Sequence, residues 1–493
     1  MHMVHRLVSV IAAVISALAA TAEPPARVVF MDCGAADDSG LPVCEAVADE
    51  ARLASYSKWL ETDSAGMALA LHAAACRASK APGRSSEAAA LHVALVKGGN
   101  HADLGFRLRR GDSVEDHPRT PYVRLDPSPR TFGTTLLHET GHVVLTTLTG
   151  GEPLPGRAIA ALPHSTAALT DRSTALSEGF AIHLETLAAH LGTDAATRAA
   201  YRHERFEFGL PAGRGAEYFH HARDLLTFSQ TIARYYEVRE NNFAFESACR
   251  EPDYVRVQFE KSRDFATLRS ANQLLQSEGF YASFFFALAV AGDGPPTRER
   301  VFDRHERMLR WLAEMLASPP TDPDTPFLLE FVKTCLRVSP DEAEEVVDIL
   351  LDLSHGVFVD PGAEKLWREH YLAALRLDVG NLKMVEIAQA RASWRATVLS
   401  DPNVLYQRLG PQVRCEVPAR TVELVALGPA VPLAFDINTV QEGVLRAVPD
   451  LSAAEIERWL AERHRRPFSS PGDLRERVGL SDAAERQLRF AAE

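Results

Sequence analysis

Leu136-Leu137-His138-Glu139-Thr140-Gly141-His142-Val143-Val144 is an H-E-x-x-H word set in an apolar run. On a helix, residues four apart lie one above the other on one face, so His138 and His142 would present two imidazoles to a single point. Two nitrogens held that way can bind one zinc ion, and Glu139, beside that face, can take a proton from a water that the metal activates. The flanking Leu136, Leu137, Val143, Val144 and Leu148 predict a buried helix. Buried imidazoles and a buried carboxylate are costly without partners, and metal ligation would satisfy both rings. Gly141 removes a side chain from this helix and lets another backbone approach.

Ser128-Pro129 supplies an N-cap and a first helical residue, Thr131 is a second cap candidate, and Gly150-Gly151 ends the helix. Upstream, residues 27–31 and the alternating Pro121-Tyr122-Val123-Arg124-Leu125 read as strands, and Ser86 to Lys97 reads as a helix stopped by Gly98-Gly99. Downstream, a helix opens at Thr170-Asp171 and runs to Gly192, with Leu176, Phe180, Leu184, Leu187 and Leu191 as its apolar stripe. Glu178 and Gly179 fall in its first turns. A buried carboxylate there needs a partner, a metal being the obvious one, and a catalytic zinc takes three protein ligands and leaves a fourth position for water. A competing Ser-Glu-Gly-Phe word, residues 277–280, lies on an apolar helix from about Ala271 to Val290, so Glu278 is the alternative third ligand.

His-Glu-x-x-His followed by Glu-Gly-Phe-Ala resembles the gluzincin type of zincin metallopeptidase. The resemblance implies Zn²⁺ held by His138, His142 and Glu178, with Glu139 as the catalytic general base. It also implies that the strand before the metal helix, Pro121 to Leu125, pairs with an extended substrate. Peptide hydrolysis needs a donor for the oxyanion, and Tyr218, His220, His164 and Tyr281 are the candidates. One turn beyond the ligand glutamate, where that clan carries an acid that orients an imidazole, this chain has Ile182. Asp171 is the substitute expected from the sequence.

The last 58 residues carry a second resemblance. Asp436-Ile437-Asn438-Thr439, Val448-Pro449-Asp450-Leu451-Ser452, Pro467-Phe468-Ser469-Ser470, Asp473-Leu474 and Val478-Gly479-Leu480 follow the order seen in helix-hairpin-helix domains. They resemble those of bacterial competence DNA receptors and of minor pseudopilin K of type II secretion. In DNA-binding members the hairpin glycine amides face phosphates. Here Asp450 stands where that family has glycine, and residues 436–493 hold nine Arg against eleven Asp plus Glu. That argues against nucleic acid and for a role in packing or in binding a protein partner.

The net charge of the 493-residue chain, −13, also argues against a general nucleic-acid binder. A basic start, an apolar run from Leu7 to Ala20 and Ala20-Thr21-Ala22 predict a secretory signal peptide cut after Ala22. No later stretch is long and apolar enough to span a membrane. With six Cys in an exported chain, disulfides are expected, Cys33 with Cys44 being the nearest pair.

The expected fold is mainly α with a small α/β part: a zincin-like catalytic domain, a helical spacer and a helix-hairpin-helix module. The expected boundaries are 1–22 signal peptide, 23–126 N-terminal α/β part, 127–292 helical catalytic domain, 297–405 helical domain, 406–435 linker with short strands, and 436–493 terminal module. The expected function is an exported zinc metallopeptidase, periplasmic or extracellular, acting on a peptide or protein substrate. The alternative is an envelope scaffold or a DNA- or protein-binding protein that acts through the terminal module and whose zincin domain is inactive.

Overall fold

The computed structural model describes residues 28–36, 40–79, 90–155, 170–197, 270–292, 296–363, 365–366, 369, 380–424, 428–440, 445–446 and 448–490, less 319 and 323. The signal peptide expected at 1–22, His164, Tyr218, His220 and Cys249 lie outside the described residues.

The N-terminal part overturns the expectation of a mainly α fold with only a small α/β part. Strands β1 (Val28–Ala36), β2 (Pro42–Ala46), β3 (Leu91–Leu95), β4 (Asn100–Arg110) and β5 (Ser113–Leu125) close into a barrel in the order β1-β2-β4-β5-β3. β1 and β5 both run parallel to β3, β2 runs parallel to β4, and the β1–β2 and β4–β5 pairs are antiparallel. Helices α1 (Glu50–Trp59) and α2 (Asp63–Ala78) connect β2 to the later strands. Alternation along the strands separates two sets of side chains. Met31, Cys44, Ala94, Phe106, Leu108 and Tyr122 form one cluster within the barrel, while Phe30, Val93 and Val123 belong to the main core.

The expected helix from Ser86 to Lys97 is instead, in its described part, strand β3. Leu91 to Leu95 are all buried, with β1 on one side and β5 on the other. A fully buried strand loses the alternation that would mark it, and a short apolar run reads equally well as helix. Cys33 and Cys44 face each other across β1 and β2 and are disulfide-bonded; Cys76, Cys335 and Cys415 are buried thiols.

Helices α3 (Pro129–Gly133), α4 (Thr135–Leu148), α5 (Arg172–Leu191), α6 (Ala271–Leu274) and α7 (Glu278–Val290) follow the barrel. Then come α8 (Arg298–Leu316), α9 (Phe327–Val338), α10 (Ala343–Ser354) and α11 (Gly380–Ser400). One core runs from Phe30 through α4, α5 and α7 to Trp311, Phe331, Val398 and Leu405. Near the C-terminus β6 (Arg414–Leu424) pairs with β7 (Gly428–Asp436) and with β8 (Arg489–Phe490), giving a second sheet of order β7-β6-β8. It joins α12 (Ala453–Arg465), α13 (Pro471–Val478) and α14 (Asp482–Gln487) around a separate core of Ile437, Leu445, Trp459, Phe468 and Leu474. Trp459 Nε1 donates to the Ile437 carbonyl over 2.9 Å, which satisfies the polar end of a fully buried indole. Among the described residues no helix is long and apolar enough to cross a membrane.

Candidate metal centre

Ser128 caps α3, accepting from the Thr131 N–H, with Pro129 in the first turn. The chain breaks at Thr134 and restarts as α4, so the single helix expected from Ser128 is two. On α4, Leu136, Leu137, Val143, Val144, Leu145 and Leu148 are buried, which fixes the rotation of the helix and turns His138 and His142 toward α5. The two rings lie with centroids 5.0 Å apart and Nε2 atoms 3.3 Å apart.

α5 supplies the third group. Glu178 Oε2 is 3.3 Å from His138 Nε2 and Oε1 is 3.6 Å from His142 Nε2. A donor atom from each of the three residues can be chosen so that all lie within 4.8 Å of one another. With zinc–donor bonds of about 2.1 Å and a tetrahedral angle, neighbouring ligand atoms sit about 3.4 Å apart. The two imidazole nitrogens, 3.3 Å apart, have that spacing, and each lies 3.3–3.6 Å from a different oxygen of the Glu178 carboxylate, so the carboxylate faces the point between the rings.

Two close helix crossings produce this geometry. A Cβ on Gly141 would come 2.9 Å from Ala181 Cα, so glycine lets α5 approach α4 closely enough for Glu178 to reach the rings. A Cβ on Gly179 would come 2.8 Å from the Glu278 carbonyl oxygen, where α5 meets α7. The second Ser-Glu-Gly-Phe word is thus the packing partner of the first. Glu278 is 1% exposed, and the cleft beside the imidazoles is lined by Glu178 and not by Glu278.

The outer nitrogens are held as well. His142 Nδ1 lies 2.8 Å from Ser177 Oγ, and His138 Nδ1 lies 3.5 Å from Glu185 Oε1. Such partners set the tautomer that leaves Nε2 available for a metal. Asp171, the substitute expected from the sequence, does something else. It is the N-cap of α5, accepting from the Thr174 N–H and from the Ser173 and Thr174 hydroxyls. Glu185 stands two turns beyond Glu178 on the same helix face, and that period-of-seven spacing is the signal that could have found it.

Burial pulls the His138 pKa down, but the carboxylates of Glu185, Glu178 and Glu139 outweigh it and hold the ring well above its ordinary value. Glu139 is 5% exposed, and burial pushes its carboxyl up to about 7, with His138 opposing and Glu178 adding to the rise. The Ala102 N–H donates to the Glu139 carboxylate.

These groups line a cleft of about 1080 Å³ whose opposite wall is Asn100 to Leu104 of β4. That half of β4 pairs with β5, and β2 reaches only Arg107 to Arg109, so among the described residues its outer edge has no strand partner. Pro121 to Leu125, the edge expected from the sequence, is interior instead. It lies in β5, with Val123 to Leu125 flanked by both β3 and β4. Of the candidate oxyanion donors, Tyr281 is fully buried, and its hydroxyl accepts from the Leu328 N–H away from the residues lining the cleft. Tyr218, His220 and His164 lie outside the described residues.

In the terminal module both hairpin positions are left-handed, Asp450 at φ 61° and Gly479 at φ 64°. Asp450 Oδ2 accepts from Gln487 Nε2 over 2.8 Å. Arg465 pairs with Glu462, Arg466 with Asp473, and Arg463 donates to the Val440 carbonyl.

Residues 435–491 match the family described as Type II secretion system (T2SS), protein K. The segment is a protein K-like module, and the match covers this part of the chain alone. No curated protein and no solved structure matches the chain.

Proposed function

We propose that the chain is an exported zinc-dependent peptidase. The observation that carries this reading is the convergence of His138 Nε2, His142 Nε2 and the Glu178 carboxylate, one donor atom from each lying within 4.8 Å of the others, which supplies the three protein ligands that a catalytic zinc takes. Zinc bound there would polarise a water and a substrate carbonyl. Glu139, buried beside the two rings, would take the proton from the attacking water and return it to the leaving amine. Ser177 and Glu185 hold the two rings in orientation. The edge of β4 from Asn100 to Leu104, which has no strand partner among the described residues, lies along the cleft where an extended peptide could pair with the carbonyls left over once the Ala102 N–H is given to Glu139 and the Leu104 N–H to Asp103.

Zinc content of the purified full chain tests the centre, and peptide cleavage by Glu139→Gln against wild type tests the chemistry. About one zinc per chain, lost in Glu178→Gln and kept in Glu278→Gln, is expected. No stoichiometric zinc, or undiminished cleavage by Glu139→Gln, overturns the reading.

A second reading draws support from the match at residues 435–491, which the first does not. In it the chain is an envelope scaffold that binds a protein of a secretion system through the terminal module, and the zincin-like part is inactive. Co-purification of a secretion component with the wild-type chain and its loss on disrupting the module core, with no hydrolytic activity in either, would favour this reading.

A further inference from the structure

The helix that carries Glu178 starts beside a buried polar junction that reaches the terminal module through residues 272–276. Arg172, the first residue of α5, is 3% exposed, yet its guanidinium donates to Asn272 Oδ1 over 2.8 Å, to the Asp324 carbonyl, and to the Gly410 carbonyl over 3.4 Å. It thereby joins α5 to α6, to the loop before α9 and to the strand-bearing linker. Asp436, 2% exposed, opens the Asp-Ile-Asn-Thr word of the module and lies within electrostatic reach of both Arg172 and Arg414. Its carboxylate accepts from Gln276 Nε2 over 3.4 Å and from the Asn438 N–H over 2.8 Å. Gln273 Nε2 donates to the Thr439 carbonyl over 2.6 Å. The Gln276 carbonyl accepts from the Thr170 N–H, just ahead of α5, over 2.8 Å.

Every one of these groups is polar, and the side chains of Arg172, Asn272, Gln273, Gln276, Asp436 and Thr439 are buried. A buried polar junction has few satisfied arrangements, so it fixes a position more sharply than apolar packing does. A helix rises about 1.5 Å per residue, which puts Glu178 only about 9 Å along α5 from Arg172.

We infer that Arg172 is a positioning residue for the metal centre and that the module's Asp436 and Thr439, bonded to Gln276 and Gln273 of the segment that also holds Arg172 through Asn272 and Thr170 through the Gln276 carbonyl, keep the start of α5 in place, so that module docking and metal ligation are coupled. The inference rests on the metal reading of His138, His142 and Glu178. Coupling of this kind is reciprocal: what disturbs the module weakens metal binding, and metal binding tightens the module. A protein partner that engages the module would then act on the cleft without touching it.

The test uses the full chain. Zinc affinity is measured by competition with a chromophoric chelator for wild type, Asp436→Asn and Gln273→Ala, beside thermal melts without metal. Hydrogen exchange at residues 436–440 is followed with and without zinc. The expected result is a roughly tenfold weaker zinc affinity in Asp436→Asn, a smaller loss in Gln273→Ala, and zinc-induced protection at 436–440 that Glu178→Gln abolishes. A purely structural role would lower the melts and leave the zinc affinity of the folded variants unchanged, and that result overturns the inference. If Asp436→Asn does not fold, Gln273→Ala, which removes the bond to the Thr439 carbonyl and the capping bond from the Ser270 N–H, decides. A wild-type chain that binds no zinc sinks the metal reading and this inference together, whereas zinc binding indifferent to both variants sinks this inference alone.

Discussion

Gly179 on α5 faces the backbone of Glu278 on α7 so closely that a Cβ there would lie 2.8 Å from the Glu278 carbonyl oxygen. The neighbour is main chain in a buried helix and cannot swing aside. Gly179→Ala therefore sets a gain in helix propensity of up to about 1 kcal/mol against overpacking of about 1–3 kcal/mol. The clash wins: the variant should be destabilised in urea, and its zinc affinity should fall because Glu178 is the adjacent residue. Gly66→Ala is the control. Gly66 lies in α2 with nothing within 4 Å of a Cβ, so that variant should be neutral or slightly stabilised.

The sequence made the two imidazoles readable because i and i+4 on a buried helix leave little choice of direction, and Gly141 already pointed to a close helix crossing. The barrel was not readable. Its closure depends on parallel pairing of β3 with β1 and β5, and these partners are far apart in sequence with no turn between them to mark the pairing. Leu91 to Leu95, buried on both faces, had lost its period. Two Ser-Glu-Gly-Phe words looked like rivals for one metal, because sequence cannot tell a ligand from the backbone it packs against. Asp171 went to capping a helix end, a local use that any Asp before a helix can have.

Glu185 and Ser177 hold the nitrogens of His138 and His142 that face away from Glu178. Removing such a partner typically costs about 10–100-fold in metal affinity. Glu185→Gln and Ser177→Ala should each bind zinc more weakly within that range by chelator competition, and Asp171→Asn should have a smaller effect. Equal zinc affinity in all three variants would remove both residues from the centre.

His183 on α5 and His305 on α8 meet with Nε2 atoms 3.0 Å apart, both fully buried. Burial holds His305 down to about 4 from an ordinary 6.5, and burial together with the neighbouring His305 ring holds His183 well below that value. Both groups take up protons more readily unfolded than folded. Their contribution to stability is therefore complete above about pH 6.5 and is lost as pH falls from there toward about 4. His305→Leu removes one such group. Its urea midpoint should depend less on pH between 6.5 and 4 than that of wild type, by an amount equivalent to roughly 2–3 kcal/mol over the interval. Parallel pH profiles would show that the pair does not stay neutral in the folded chain.

Asp450 holds a left-handed backbone, φ 61°, at the position where Gly479 serves in the other hairpin. Asp450→Gly relieves a conformational cost of about 1 kcal/mol but gives up the exposed bond from Gln487 Nε2, a net loss of about 0.5–1.5 kcal/mol. The two nearly cancel, so the melting temperature should move little in either direction. The same change removes the carboxylate that would repel a phosphate at that hairpin. If Asp450 were all that kept the module from nucleic acid, Asp450→Gly should shift duplex DNA in a gel at low ionic strength. Arg465 and Arg466 are already paired with Glu462 and Asp473, and Arg463 is turned onto the Val440 carbonyl, so the basic run offers little uncompensated charge. Neither wild type nor Asp450→Gly should therefore bind DNA, and a clear gel shift by the variant would show that this one carboxylate separates a protein-binding module from a phosphate-binding one.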